Sequence, residues 1–207
     1  MLFSLPYTSF ANYSPRGQTE TSRKSKGVCG AVKRGTIPLI DDMINHFTDP
    51  NCRIIVDAMN ESVLVPVPRS SPIQHGTLWP SAVIANRLIG AGYGIEVKAL
   101  IRRATAIQKS AYASQGSRPT VEEHMATLEV EADLLGPKKI MLIDDVITMG
   151  TTSMACALKL QEVYQSAEIM VFSIMRTQGF KDNIESLIDP SEGVVKYFSS
   201  GKVFRDP

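Results

Sequence analysis

Apolar residues between positions 37 and 47 recur three or four apart (Ile37, Ile40, Ile44, Phe47), the period of a helix that buries one face. Thr36 before this run and Pro38 inside its first turn mark the start. Residues 62–67 (SVLVPV) form a short apolar run ending in prolines and predict a strand. Residues 81–89 return to a helical pattern, with Pro80 suited to the first turn. Gly90, Gly92 and Gly94 then interrupt it, and residues 95–101 predict a second strand. Residues 102–119 have no period and carry Arg102, Arg103, Lys109 and Arg118. A structureless stretch of that length inside a domain is usually functional or disordered. Further on, the pattern predicts a partial helix over 121–135 and a strand over 139–143. A helix over 151–163 turns Met154, Leu158 and Val163 inward. A buried strand follows over 168–175 and an edge strand over 194–198. Strands alternating with helices predict an α/β fold, a mostly parallel twisted sheet flanked by helices. Residues 1–35 show no such alternation and, from position 11, are polar and basic (Arg16, Arg23, Lys24, Lys26, Lys33, Arg34). They are set apart as an N-terminal segment, with 36–207 as a single domain.

Composition changes this picture little. The chain has 207 residues, 43% of them hydrophobic, enough for one full core. Its 22 basic and 21 acidic residues leave a formal charge of +1, which gives no bulk attraction to nucleic acid or an anionic membrane. Cys29, Cys52 and Cys156 are odd in number, far apart and without a CxxC, so neither a zinc ribbon nor a disulfide framework is expected, and a reducing cytoplasm is. Pro6 interrupts the first apolar stretch and no basic segment precedes it, unlike a signal peptide. No apolar run approaches the roughly 20 residues of a membrane span. His46, His75 and His124 are scattered and suggest no ligand set, and Trp79 reads as a packing residue at a helix start.

Candidate chemistry concentrates in IMLIDDVITMGTT, residues 140–152. Four apolar residues run into Asp144 and Asp145, and then Thr148, Met149, Gly150, Thr151 and Thr152 lead into a helix. Ligands of open parallel sheets bind beyond the carboxyl ends of the strands. Free amides and the positive dipole end of the helix suit a phosphate there. The threonines add donors, and Gly150 lets backbone approach the anion. Two carboxylates beside a phosphate repel it unless something lies between them. A ribose does so: its 5-phosphate enters the turn and its hydroxyls donate to the acids. A helix cap explains one acid at most, and a metal site would lack further ligands.

IDDVITMGTT resembles the phosphoribosyl diphosphate (PRPP) binding motif of type I phosphoribosyltransferases. It departs at Met149, where that family more often has Thr or Gly. The resemblance implies a Rossmann-like sheet with a small variable hood and PRPP as co-substrate. It also implies Mg2+ held mostly indirectly by Asp144 and Asp145 through PRPP and water, and a homodimer. LVPVPRSSP, residues 64–72, is similar to the PVP-type loop of the ComF-like branch, which implies that Arg69, Ser70 and Ser71 meet pyrophosphate. Residues 100–124 are similar to that branch's mobile-loop segment. Arg102, Thr105, Gln108 and Arg118 match it, and Lys109 is a further pyrophosphate candidate. The branch's four-cysteine ribbon is absent. An acceptor would meet a hood built from residues 1–35, 176–207 or both, with Arg176, Gln178 and Phe180 facing it. The implied activity is Mg2+-dependent transfer of phosphoribose to a nucleobase or related nitrogen acceptor, with release of pyrophosphate. The alternatives are a PRPP-binding sensor without turnover, working with a protein partner, or a ComF-like role in DNA uptake or processing.

Overall fold

The computed structural model describes residues 3–108, 118–133, 136–178 and 181–206. In chain order it runs β1 (Phe3–Tyr13), α1 (Glu20–Lys33), α2 (Ile37–Asn45), two 3-10 turns (His46–Thr48 and Pro50–Cys52), α3 (Arg53–Met59), β2 (Val63–Pro66), α4 (Pro80–Gly90), β3 (Glu96–Val97) and β4 (Ile101–Arg103). It continues through α5 (Val121–Met125), β5 (Leu128–Val130), β6 (Lys139–Ile147), α6 (Thr151–Val163), β7 (Glu168–Thr177), β8 (Ile188–Tyr197) and β9 (Val203–Arg205).

Seven strands form one sheet in the order β3-β2-β6-β7-β1-β8-β9, and β4 pairs with β5 in a separate ribbon. The four pairings from β3 to β1 are parallel, and β8 and β9 are added antiparallel. The fold is therefore α/β with a mostly parallel sheet, as the alternation predicts. Buried alternation sorts the core into two layers. On one face Val63 and Val65 of β2, Ile140 and Leu142 of β6, and Val171 of β7 pack against α6, α5 and the ribbon. On the other, Leu64, Met141, Ile143 and Phe172 pack against α1, α2, α3 and α4.

Val163 is exposed rather than turned inward, as is Ile37 at the start of α2, and four larger expectations need correcting. Residues 95–101 are not one strand: Glu96 and Val97 join β2, whereas Ile101 begins the ribbon. The chain is released between them, with Lys98 bonded to Asp133 and Glu96. The edge strand expected at 194–198 is the end of a longer β8 that lies between β1 and β9. After α5, which a Thr120–Glu123 capping box starts, the chain forms β5 rather than more helix. The fourth is β1, which the pattern did not predict and which lies inside the sheet. Thr8, Ser9 and Asn12 are buried in it, so its apolar signal is diluted. Pro6 precedes Tyr7, the first residue registered with β7, so its missing N–H breaks no bond to that neighbour. The helix α1 was hidden for a similar reason: it buries Ser22, Ser25, Cys29 and Val32, a helical face made largely of small polar residues. No helix among the described residues is long and apolar enough to cross a membrane.

Candidate functional site

From β2 the chain crosses through α4 to β3 on one side, then returns to β6 on the other. The crevice at such a reversal opens at the carboxyl ends of the strands that flank it, here β2 and β6. Pro66 registers with Ile143, and the Val67 N–H donates to the Ile143 carbonyl at 2.9 Å. The loop carrying Arg69 and the pair Asp144–Asp145 therefore leave neighbouring strands at the same level.

The acids are not beyond the strand, as the sequence suggests, but within its last turn of ladder. β6 continues to Ile147, whose N–H donates to Ser173 Oγ at 2.9 Å, and Ser173 Oγ donates on to the Met175 carbonyl at 2.7 Å. Asp144 accepts from the Asp145 N–H at 2.9 Å and from Ser153 Oγ at 3.3 Å. Burial pushes the Asp144 carboxyl well above its usual range, and the charge of Asp145 and the hydrogen bond between the two carboxyls push the same way. The backbone N–H and Ser153 oppose them only in part.

The turn that follows has Thr148 and Met149 exposed, Met149 at 42%, so the Met side chain crowds nothing in the turn. Gly150 begins α6 with φ +83°, and no side chain caps the helix. The first helical bond is from the Met154 N–H to the Gly150 carbonyl at 2.8 Å, which leaves the preceding amides at the helix start without an intrahelical acceptor, as an anion site needs. Thr151 and Thr152 are half-buried beside them.

Across the crevice, Trp79 Nε1 donates to the Val67 carbonyl at 2.8 Å, so this residue fastens the loop as well as packing. Arg69 and Ser70 are half-buried. Arg69 Nη1 donates to the Leu78 carbonyl at 2.5 Å, and the Ser70 carbonyl accepts from the Ile107 N–H at 2.8 Å. Arg102 is not brought to the crevice side of the ribbon. It is exposed and bridged by Glu129 at 2.6 Å and Glu131 at 3.1 Å. Its neighbour Arg103, which no motif distinguishes from Arg102, points the other way and is buried, with Nε donating to the Arg69 carbonyl at 2.9 Å. Thr105, Gln108 and Arg118 are exposed. Lys109 and Phe180 lie outside the described residues.

Arg176, expected to face an acceptor, is buried and bound to Asp189 at 2.7 Å through Nη2, with Nη1 on the Asp189 carbonyl. Asn12 and Gln178 also donate to the Asp189 carboxylate. Burial raises that carboxyl, but the hydrogen bonds from Asn12 and Arg176 outweigh it and leave its pKa below the usual range. On the far side, Cys29 of α1 lies within electrostatic reach of Asp145. Burial pushes its thiol up, Lys33 opposes this, and Asp145 adds to it. Open clefts of about 420 Å3 beside Gln108 and about 340 Å3 beside Asp189 are lined by residues other than the acid pair.

Arg103 also touches His124, which is 3% exposed and donates nothing to it: the His124 Nδ1 lies 3.3 Å from Arg103 Nη2. Burial, and then the Arg103 charge, push the His124 pKa down to about 4, with Glu123 opposing. The unfolded chain therefore binds this proton more readily than the fold does. The stabilising contribution is complete above the ordinary histidine value near 6.5 and is lost as pH falls from there towards 4. About 3 kcal/mol should disappear across that window. Urea unfolding at several pH values should show a steeper loss in the wild type than in His124→Asn; parallel profiles would refute the assignment.

No family model matches the chain, and no curated protein does. Among solved structures it is similar to a hypoxanthine phosphoribosyltransferase from Staphylococcus aureus, at TM-score 0.41 and 13% identity, covering 72% of this chain and 70% of that one. A likeness that loose carries no functional weight, and what this site can do rests on its own residues.

Proposed function

We propose that the chain is a phosphoribosyltransferase that takes PRPP as donor. The 5-phosphate sits on the turn from Thr148 to Thr152, against the uncapped start of α6. The ribose hydroxyls donate to Asp144 and Asp145. Arg69 and Ser70 meet the pyrophosphate. The observation that carries this reading is the register of β2 with β6, which sets a basic loop and an acidic, hydroxyl-rich turn on one rim of the sheet. Spacing of that kind suits a ligand that is anionic at both ends and rich in hydroxyls between.

In the reaction the C1–O bond to pyrophosphate breaks with both electrons leaving on oxygen, and C1 takes on oxocarbenium character. A nitrogen nucleophile, in a nucleobase or a related acceptor, attacks the opposite face and C1 inverts. The protein holds the partners in line and offsets the charge that develops. Asp144, with its raised pKa, is suited to receive the proton that the nitrogen sheds. Among the described residues no group of three or more His, Cys, Asp or Glu side chains could hold a metal ion. Two carboxylates fit Mg2+ that arrives on the oxygens of the donor and keeps several waters, and such an ion would neutralise the departing pyrophosphate.

Calorimetry with PRPP, with and without Mg2+, tests the proposal. Mg2+-aided binding, followed by pyrophosphate release when a nitrogen acceptor is added, is the expected result. Binding without turnover on any acceptor would favour a sensor, and no binding would remove the reading. Arg69→Ala should weaken pyrophosphate binding about tenfold or more, the worth of a charge-assisted hydrogen bond, with ribose 5-phosphate little affected. Equal loss of both ligands would refute the role given to Arg69.

A further inference from the structure

Two arginines are buried without a carboxylate partner among the described residues: Arg103, 3% exposed, and Arg205, 8% exposed. An unpaired buried charge is costly unless its donors are satisfied, and in both cases backbone carbonyls take much of that load. Arg103 Nε donates to the Arg69 carbonyl at 2.9 Å. Its Nη1 donates to Thr127 Oγ1 and, at 3.4 Å, to the His124 carbonyl. Arg205, on β9, donates from Nε to the Thr148 carbonyl at 2.6 Å and from Nη1 to the Tyr7 hydroxyl at 2.6 Å. Its Nη2 reaches the Thr177 carbonyl, and its guanidinium lies 5.2 Å from the centre of the Tyr7 ring.

The two arginines come from different elements, the ribbon and the last strand, yet do the same thing. Each grips one carbonyl in one of the two loops that rim the crevice. A carbonyl held by a buried guanidinium is not free to turn towards an anion, and its hydrogen bond fixes the backbone of the loop at that residue. Each grip also sets a fixed positive charge beneath a loop assigned an anion.

Resting on the PRPP reading above, we propose that Arg103 and Arg205 are paired positioning residues, one for each anionic end of the ligand. Arg103 sets the loop of Arg69 and Ser70 for pyrophosphate, and Arg205 sets the turn from Thr148 to Thr152 for the 5-phosphate. Neither arginine touches the reacting atoms.

A crossed pair of ligands tests this. Magnesium pyrophosphate and ribose 5-phosphate are titrated by calorimetry into the wild type, Arg103→Lys and Arg205→Lys, with the unfolding midpoint of each recorded. Arg103→Lys should weaken pyrophosphate about tenfold and ribose 5-phosphate hardly at all, and Arg205→Lys should do the reverse. Where a lysine variant fails to fold, Thr127→Val and Tyr7→Phe carry the test. These remove a partner of Arg103 and of Arg205 respectively, and should give the same crossed pattern at smaller size. A general loss of rigidity would lower both affinities together in each variant, and that outcome, or no change in either, overturns the proposal. A wild type that binds neither ligand overturns the PRPP reading itself. A wild type that binds both, with uncrossed variants, leaves that reading standing and removes only the paired role.

Discussion

Replacing Asp144 and Asp145 together by Asn is expected to abolish PRPP binding and to leave the fold at least as stable as before. The two halves of this result have different causes. On the PRPP reading proposed above, each carboxylate would accept from a ribose hydroxyl, and a hydrogen bond to a charged group contributes roughly 1.5–3 kcal/mol. Losing two such bonds removes about 3–6 kcal/mol, which is roughly a hundredfold to ten-thousandfold in affinity. In the ligand-free protein Asp144 opposes folding. Asp144 is held above its usual pKa by burial and by its neighbour's charge. Its folded form thus keeps a proton more tightly than the unfolded chain does. The stability linked to that proton is complete below the ordinary carboxyl range and is lost as pH rises through the raised value. At neutral pH Asp144 is therefore a burden on the fold, of the kind that functional sites carry. An Asn at 144 keeps an oxygen for the Asp145 N–H and can still pair with Ser153. Calorimetry at pH 7 should show no PRPP binding by the double variant, and thermal unfolding should show a midpoint equal to or above that of the wild type. Undiminished binding would mean that the acids are not the ribose cradle, and a sharp fall in the midpoint would mean that they are structural.

The same residues show which parts of the site can be read in a sequence. The pattern predicts α6 with its observed bounds because its start carries a Gly, its body is continuous and a buried strand precedes it. The acids and threonines stand out because polar residues abut an apolar run, a local contrast that needs no knowledge of the fold. β1 and α1 were not legible because their buried faces include Thr8, Ser9, Asn12, Ser22 and Ser25, and periodicity counts such residues as exposed. Arg103 and Arg205 were illegible for a further reason. Adjacent basic residues at 102 and 103 look alike in a sequence, and only the pairing of β4 with β5 decides which one is buried. Arg205 reaches Thr148 across 57 positions of chain, a contact that no local pattern announces. Arg176 is expected beyond the last core strand, facing an acceptor, yet it lies within β7 and its guanidinium is taken up by Asp189. Position in the chain could not distinguish a charge that waits for a ligand from one already paired.

Gly150→Ala is expected to lower stability by about 2–5 kcal/mol and to weaken ribose 5-phosphate binding about tenfold or more. Two separate penalties add at this residue. Its φ of +83° lies in the left-handed region, where a side chain costs roughly 1–2 kcal/mol. A Cβ there would also stand 2.7 Å from Val195 Cγ2 and 2.9 Å from Cγ1, closer than such atoms pack. Val195 is fully buried in the layer beneath α6, so it cannot swing aside without disturbing Tyr7 and the strands around it. Overpacking of that kind costs about 1–3 kcal/mol. If the helix start retreats to relieve the clash, the amides after Gly150 move off the position proposed for the phosphate, so stability and affinity should fall together. The second-site change Val195→Ala separates the causes. Alone it should destabilise by leaving a cavity. Combined with Gly150→Ala, it removes the clash but not the dihedral strain, so the double variant should lose less than the sum of the single losses, with a coupling of about 1–2 kcal/mol. Denaturant unfolding of the four proteins measures the coupling directly. Additive losses would show that Val195 is not what excludes a side chain at 150. A Gly150→Ala protein as stable as the wild type would show that the turn does not hold the left-handed conformation at all, and with it would go the reason for placing a phosphate there.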